Sequence, residues 1–311
     1  MTTSVPNAEP QLLFRKERVG PFDQSVFVFK VALALGLVAA GVSLALSDRW
    51  FVALPGCLLL AAVYTHMVEL QHQCLHHSAF RRSKLHRRVG VPLGVPLLVA
   101  YSHYRVRHLQ HHRYLGTPND SEFFGFDPRK PLTWGVLLRG LLDYLRLATV
   151  VRDIGRAYTG RWTYDAGQIA ERRRREIAAE YRMFGVVLAA VAALAVAGFG
   201  EEILRLWLVP LVFAVPMHFL VELPEHLLCE TETTDVLRNT RSIQGSWFST
   251  WFTNGNNLHV EHHAAMVVPI NRLRERHPDV QRHAVHVERS YLDFFATVAS
   301  TAHRNAKKSL S

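Results

Sequence analysis

Residues 26–47, 50–70, 183–200 and 203–223 are apolar almost throughout. A helix rises ~1.5 Å per residue, so runs of this length match the ~30 Å hydrocarbon core of a bilayer. Lipid offers backbone groups no hydrogen-bond partner, so such runs must be helical. The expected fold is therefore all-α: an integral membrane protein with four transmembrane helices. Ser47-Asp48-Arg49 would close the first hairpin, and Gly198, Gly200, Glu201 and Glu202 the second. Lys30, near the start of the first run, is expected to snorkel from its end.

Overall composition hides this pattern. Hydrophobic residues make up 49% and charged residues 20%, with a formal net charge of +10. The basic residues are concentrated between the second and third runs, at Arg81, Arg82, Arg87, Arg88, Arg105, Arg107, Arg113 and Arg172 to Arg175. By the positive-inside rule this segment lies in the cytoplasm, and with it both termini. The charge would also suit nucleic acid, but no recognition motif is present, so no nucleic-acid partner is expected. Cys57, Cys74 and Cys229 form no C-x-x-C pair and no even framework, which argues against disulfides and thiolate metal ligation.

The expected division is a mobile cytoplasmic tail over 1–24, a membrane domain over 25–290 and a C-terminal tail over 291–311. Residues 89–102 are too short and too rich in Pro and Gly to cross the bilayer, and suit a re-entrant or interfacial piece. Residues 132–151 read as one interfacial amphipathic helix. Glu171 to Glu176, with four consecutive arginines, reads as a solvated helix face near anionic headgroups. Docking of an acidic carrier or electron donor there is the less economical reading.

The chemistry-bearing residues are histidines. His108, His111 and His112 form an H-x-x-H-H pattern, as do His259, His262 and His263, while His72 and His76 form H-x-x-x-H. On helices these spacings share a face, so each cluster is expected to aim at one point. Histidines also gather on solvated basic surfaces. Three such clusters, each beside an apolar run and all on one side of the membrane, instead favour a shared metal site. Imidazole suits iron, zinc, copper and nickel. Eight ligands are too many for one ordinary ion and about right for two.

The fourth run adds His218, Glu222 and His226 at i, i+4, i+8, one face if the helix continues past Pro224. His226 is the natural ninth ligand. Glu222 is a catalytic candidate that would bind metal, hold a bridging water or orient His226, because ionisable groups at membrane depth are functional candidates. His218 and His66 line a substrate cavity or are satisfied buried histidines. His77, His86, His103, His277, His283, His286 and His303 read as surface or locally bonded residues.

These motifs resemble those of the integral-membrane fatty acid desaturase superfamily, which also contains membrane hydroxylases and carotenoid oxygenases. Its three histidine boxes are matched by His72/His76, His108/His111/His112 and His259/His262/His263. His76-His77-Ser78-Ala79-Phe80, Tyr104 to His108, Glu225-His226, Asn239-Thr240-Arg241-Ser242, and the tail of Pro269, Leu273 and His277 also resemble family surroundings. The likeness spans residues 26–280. Two positions depart from it: Glu222 stands where relatives often have Asn or a small polar residue, and Ala264-Ala265-Met266-Val267 replaces the common H-L-F-P.

The resemblance implies two iron ions (Fe2+/Fe3+), O2 as co-substrate, and a lipid or acyl-thioester substrate at the membrane. The active site would be cytoplasmic, within a helical cap. No fused H-P-G-G heme motif or rubredoxin C-x-x-C pair is present. Electrons are therefore expected from a separate donor, such as a ferredoxin or a cytochrome b5-type protein with its reductase. Desaturation at a histidine-ligated di-iron centre is the leading expectation. Hydroxylation or carotenoid ketolation on the same scaffold is the alternative. A histidine-rich metal transporter or sensor is more remote, since transporters hold their ligands near mid-membrane. A zinc hydrolase is disfavoured by the lack of H-E-x-x-H and by nine histidines where catalytic zinc uses three protein ligands.

Overall fold

The computed structural model describes residues 11–120, 127 and 129–308. The chain is mostly helical. After one turn of helix at Gln11–Phe14, α1 (Pro21–Ala45) and α2 (Trp50–Leu75) form an antiparallel hairpin. The hairpin is tight because Gly56 presents no side chain: a Cβ there would collide with the backbone of Leu44 and Ala45. Then follow α3 (Ser83–Gly94), α4 (Tyr101–Tyr114), α5 (Trp134–Leu141), α6 (Leu145–Tyr158) and α7 (Glu171–Leu194). The expected single helix over 132–151 is thus two, α5 and the start of α6.

Among the described residues, three helical stretches are long and apolar enough to cross a membrane: Pro21–Ala45, Trp50–Leu75 and Glu171–Glu222. The third and fourth expected runs are one 52-residue stretch. It is broken at Gly198, whose φ of 103° lies in the left-handed region that glycine tolerates without strain. The two arms face one another across an apolar cavity of about 420 Å³, lined by Val187, Val191 and Leu194 on one side and Ile203, Leu206 and Trp207 on the other. The second arm ends in α8 (Val209–Glu222).

Helix α2 is the central element. Buried residues make up 61% of its apolar window, against 17% in α1 and 6% in the long stretch. The arm ending in α8 runs parallel to it. Cys57 Sγ donates to Arg205 O (3.1 Å), Tyr64 Oη to Leu206 O (2.9 Å) and Thr65 Oγ1 to Ala214 O (3.5 Å). Parallel packing delivers the C-terminal ends of α2 and α8, and the histidines beyond them, to the same end of the molecule. Lys30 does not snorkel. Its Nζ donates to Asn254 Oδ1 at 2.8 Å, and Asn254 Nδ2 donates in turn to Glu69 O and Gln73 Oε1.

Beyond α8 the chain forms strand β1 (Arg241–Ile243), then α9 (Trp247–Phe252), α10 (His259–Ala264), α11 (His277–His283), strand β2 (His286–Glu288) and α12 (Tyr291–Lys308). The strands pair in parallel, Ser242 opposite Val287, so the third histidine cluster lies in the crossover between them. Neither expected tail behaves as one where it is described. Arg276 donates to Leu13 O and to Arg15 O, and Arg272 pairs with Glu17 (2.7 Å) and Asp23 (2.9 Å). These bonds hold residues 13–23 against the chain after the third cluster. At the other end, Phe294, Val298 and Ala302 recur every fourth residue on α12 and pack with Leu132, Phe219, Leu227 and Ile243. Residues 1–10 and 309–311 of the expected tails lie outside the described residues.

Candidate metal centre

Each histidine is carried by an element whose end points at the others. His72 lies in the last turn of α2 and His76 caps it. His77, at φ 56°, then turns the chain away. His108, His111 and His112 occupy the C-terminal half of α4, and His259, His262 and His263 make up half of α10. Helix α8 ends at Glu222, so His226 is not a helical i+8 partner of His218 as expected. It arrives through the turns after α8, and its Nδ1 donates to Asn239 O at 2.9 Å.

All nine expected ligand histidines come together, in two adjoining groups. The ligand nitrogens of His72, His76, His108 and His262 lie within 4.8 Å of one another, and so do those of His111, His226, His259 and His263. His112 joins the first group, its Nε2 standing 3.0 Å from His108 Nε2 and 3.1 Å from His262 Nε2. Its ring also stacks on His263 at 4.0 Å, so the groups touch. The expectation that each triplet aims at one point is corrected here. At 3.6 residues per turn, i and i+4 lie about 40° apart around the helix, whereas i+3 and i+4 lie about 100° apart. His108 and His112 therefore face the first group and His111 the second. On α10, His259 and His263 face the second group and His262 the first.

Hydrogen bonds define the protonation of three members of the second group. His111 Nδ1 stands 3.0 Å from Asp120 Oδ1, His226 Nδ1 faces the Asn239 carbonyl, and His259 Nδ1 stands 3.0 Å from Asn256 Oδ1. Asn256 is oriented in turn by donating from Nδ2 to Glu225 Oε1 (2.5 Å). Three acceptors thus call for a proton on each Nδ1, which leaves every Nε2 with a lone pair. Yet His226 Nε2 lies 3.1 Å from His111 Nε2 and 3.2 Å from His259 Nε2. Lone pairs this close repel unless a cation sits among them.

Protons are poor candidates for that cation. Burial, then the charge of neighbouring imidazoles, pushes His76, His108, His112, His259, His262 and His263 well below the usual histidine range, and His226 down to about 3. His263 is buried with neither ring nitrogen bonded to any described residue. A set of neutral, buried, convergent imidazoles fits metal ions of the iron, zinc and copper class.

Glu222 belongs to neither group. Its Oε2 lies 3.1 Å from His218 Nδ1. His218 lines a cavity of about 440 Å³ together with Tyr104, Leu97, Arg146 and Val150. Tyr104 also stands against the first group, 5.5 Å from the His108 ring and 6.2 Å from His72. The cavity therefore runs up to the histidines. His66 is buried, its Nδ1 2.8 Å from Phe252 O and its ring stacked on Trp251, both far along the chain.

Three supporting residues were missed from sequence. Asp120 follows α4 in a loop with no periodic signal. Asn256 is placed by its i−3 spacing to His259. Glu261 accepts from Ser242 Oγ and lies 2.6 Å from His277 Nδ1, which fixes α10 against β1 and α11. Ser242 and His277 were both inside recognised motifs, whose wording gave no hint of a shared carboxylate.

The family model for fatty acid desaturases matches residues 48–295. A curated protein, the sn-1 oleoyl-lipid 12-desaturase of Picosynechococcus sp., is 21% identical over 276 residues, covering 81% of this chain and 76% of that protein.

Proposed function

The chain belongs to the fatty acid desaturase family, and from that premise we propose that it is a membrane oxidoreductase using O2 to introduce a double bond into an acyl chain at a two-iron centre. The observation that carries the reading is the pair of touching histidine groups, whose lone pairs need cations among them. His72, His76, His108, His112 and His262 would hold one iron, and His111, His226, His259 and His263 the other. Bound iron supplies O2 activation, which no side chain can, for removing hydrogen from an unactivated carbon.

The protein's own part is orientation and exclusion of water. Asp120, Asn256 and the Asn239 carbonyl hold their imidazoles in one tautomer with Nε2 presented. Tyr104 and the apolar wall of Leu97 and Val150 hold the substrate chain beside the first group. Glu222, the sequence's catalytic candidate, orients His218 on that wall. The relative's name supports an acyl-lipid substrate; acyl-CoA and acyl-carrier substrates share the same chemistry at the centre. Four crossings, divided at Gly198 in the last stretch, would place the histidine end and both termini in the cytoplasm, as the arginine asymmetry favours. A separate ferredoxin or cytochrome b5-type donor would deliver electrons there.

The test is mass spectrometry of acyl lipids and thioesters from an aerated, iron-replete host expressing the chain or its His262→Ala variant. Loss of two hydrogens from an acyl chain with the wild type alone is the expected result. Gain of one oxygen would replace desaturation by hydroxylation.

A further inference from the structure

The cavity beside the first histidine group is not uniformly apolar. Arg146, in the first turn of α6, is on its wall, which Leu97, Leu147, Val150 and Tyr104 also line. Its Nε and Nη2 are buried and have no hydrogen-bond partner among the described residues. Glu222 and Asp143 lie within electrostatic range, but neither stands at ion-pair distance. The other arginine on the wall, Arg107, differs in that its Nη1 stands 3.4 Å from both carboxylate oxygens of Asp165. Buried guanidinium nitrogens without a bonded partner are costly, and such an arrangement persists where a ligand completes it. Its flat fork of donors matches carboxylate and phosphate oxygens.

We propose that Arg146 binds an anionic oxygen group of the substrate, a carboxylate or a phosphate, within the cavity that Tyr104 closes against His72 and His108. This deepens the proposed function and rests on its reading of the cavity as the substrate site. The consequence is regiochemical. Arg146 and Tyr104 share one cavity, so the anionic group sits close to the centre, and the oxidised carbon lies near the substrate's head rather than far along its tail.

The test measures binding and needs no turnover. Purified full-length protein in nanodiscs is titrated with radiolabelled octanoate, competed with unlabelled octanoate, octyl phosphate or methyl octanoate. The anionic competitors are expected to bind about tenfold more tightly than the ester, a difference of one charge-assisted contact. The tighter of the two anions identifies the group. Arg146→Gln should abolish the preference and Arg146→Lys should retain part of it. Equal affinity of the wild type for all three competitors overturns the proposal, as does an undiminished preference in Arg146→Gln. The wild-type comparison stands even if the glutamine variant does not fold. A protein that prefers anions yet leaves host lipids unchanged would keep this assignment and lose the desaturase reading.

Discussion

Asp120 and Asn256 do for the second histidine group what no ligand can do for itself: each fixes which nitrogen of an imidazole carries the proton. Supporting partners of this kind typically contribute 10- to 100-fold to metal affinity. Asp120→Ala and Asn256→Ala should therefore weaken metal retention by about that factor while leaving the protein folded. Metal content during dialysis against a graded chelator measures it. His283→Ala and His303→Ala should be nearly silent in the same assay, since His283 only caps its own helix through Asp279 O (2.8 Å) and His303 is exposed. The histidine clusters on α2, α4 and α10 were legible because helical spacing is written into the sequence, whereas His226 comes in through the turns after α8. The partners of these imidazoles were not, because Asp120 lies in a loop, where spacing carries no geometric rule, and the Asn239 carbonyl ends a one-turn helix 13 positions from His226.

Helices α4 and α10 each serve both histidine groups, and this division follows from helical rotation alone. The H-x-x-H-H pattern therefore lets one helix face two histidine groups. That reading was available from the sequence, but the shared-face rule obscured it. The long apolar helices were legible from apolar length, and the break at Gly198 in the 52-residue stretch agrees with the expected turn position. The N-terminal segment was misjudged for a clear reason. Its polar residues look solvated in isolation, yet Glu17 and Asp23 have partners roughly 250 positions later, at Arg272. Arg276, 1% exposed, donates to two backbone carbonyls of the same segment. Arg276→Ala should thus destabilise the protein by about 2–4 kcal/mol, as loss of a buried charged network does. A lower thermal midpoint of the detergent-purified protein would register it; an unchanged midpoint would mean the segment is not anchored there.

The whole molecule builds a buried, neutral cluster of imidazoles at one end of its long apolar helices, and this has a pH signature. His226 has a folded-state pKa of about 3 against an ordinary value of 6.5. As pH falls below 6.5 the unfolded chain takes up protons first, so stability is lost on acidification. The other buried histidines outside the membrane stretches are shifted in the same direction. Protons also compete with metal for the same lone pairs. Both metal retention and thermal midpoint should therefore fall between pH 7 and pH 5, and stability rising with acidification would contradict the neutral cluster. The most direct test of the central claim is the metal content of the purified, iron-replete wild-type protein and of its His111→Ala and His262→Ala variants, by elemental mass spectrometry. Two irons per chain are expected in the wild type and fewer in each variant, since the two variants remove a histidine from different groups. A single bound ion, or zinc alone, would contradict the claim.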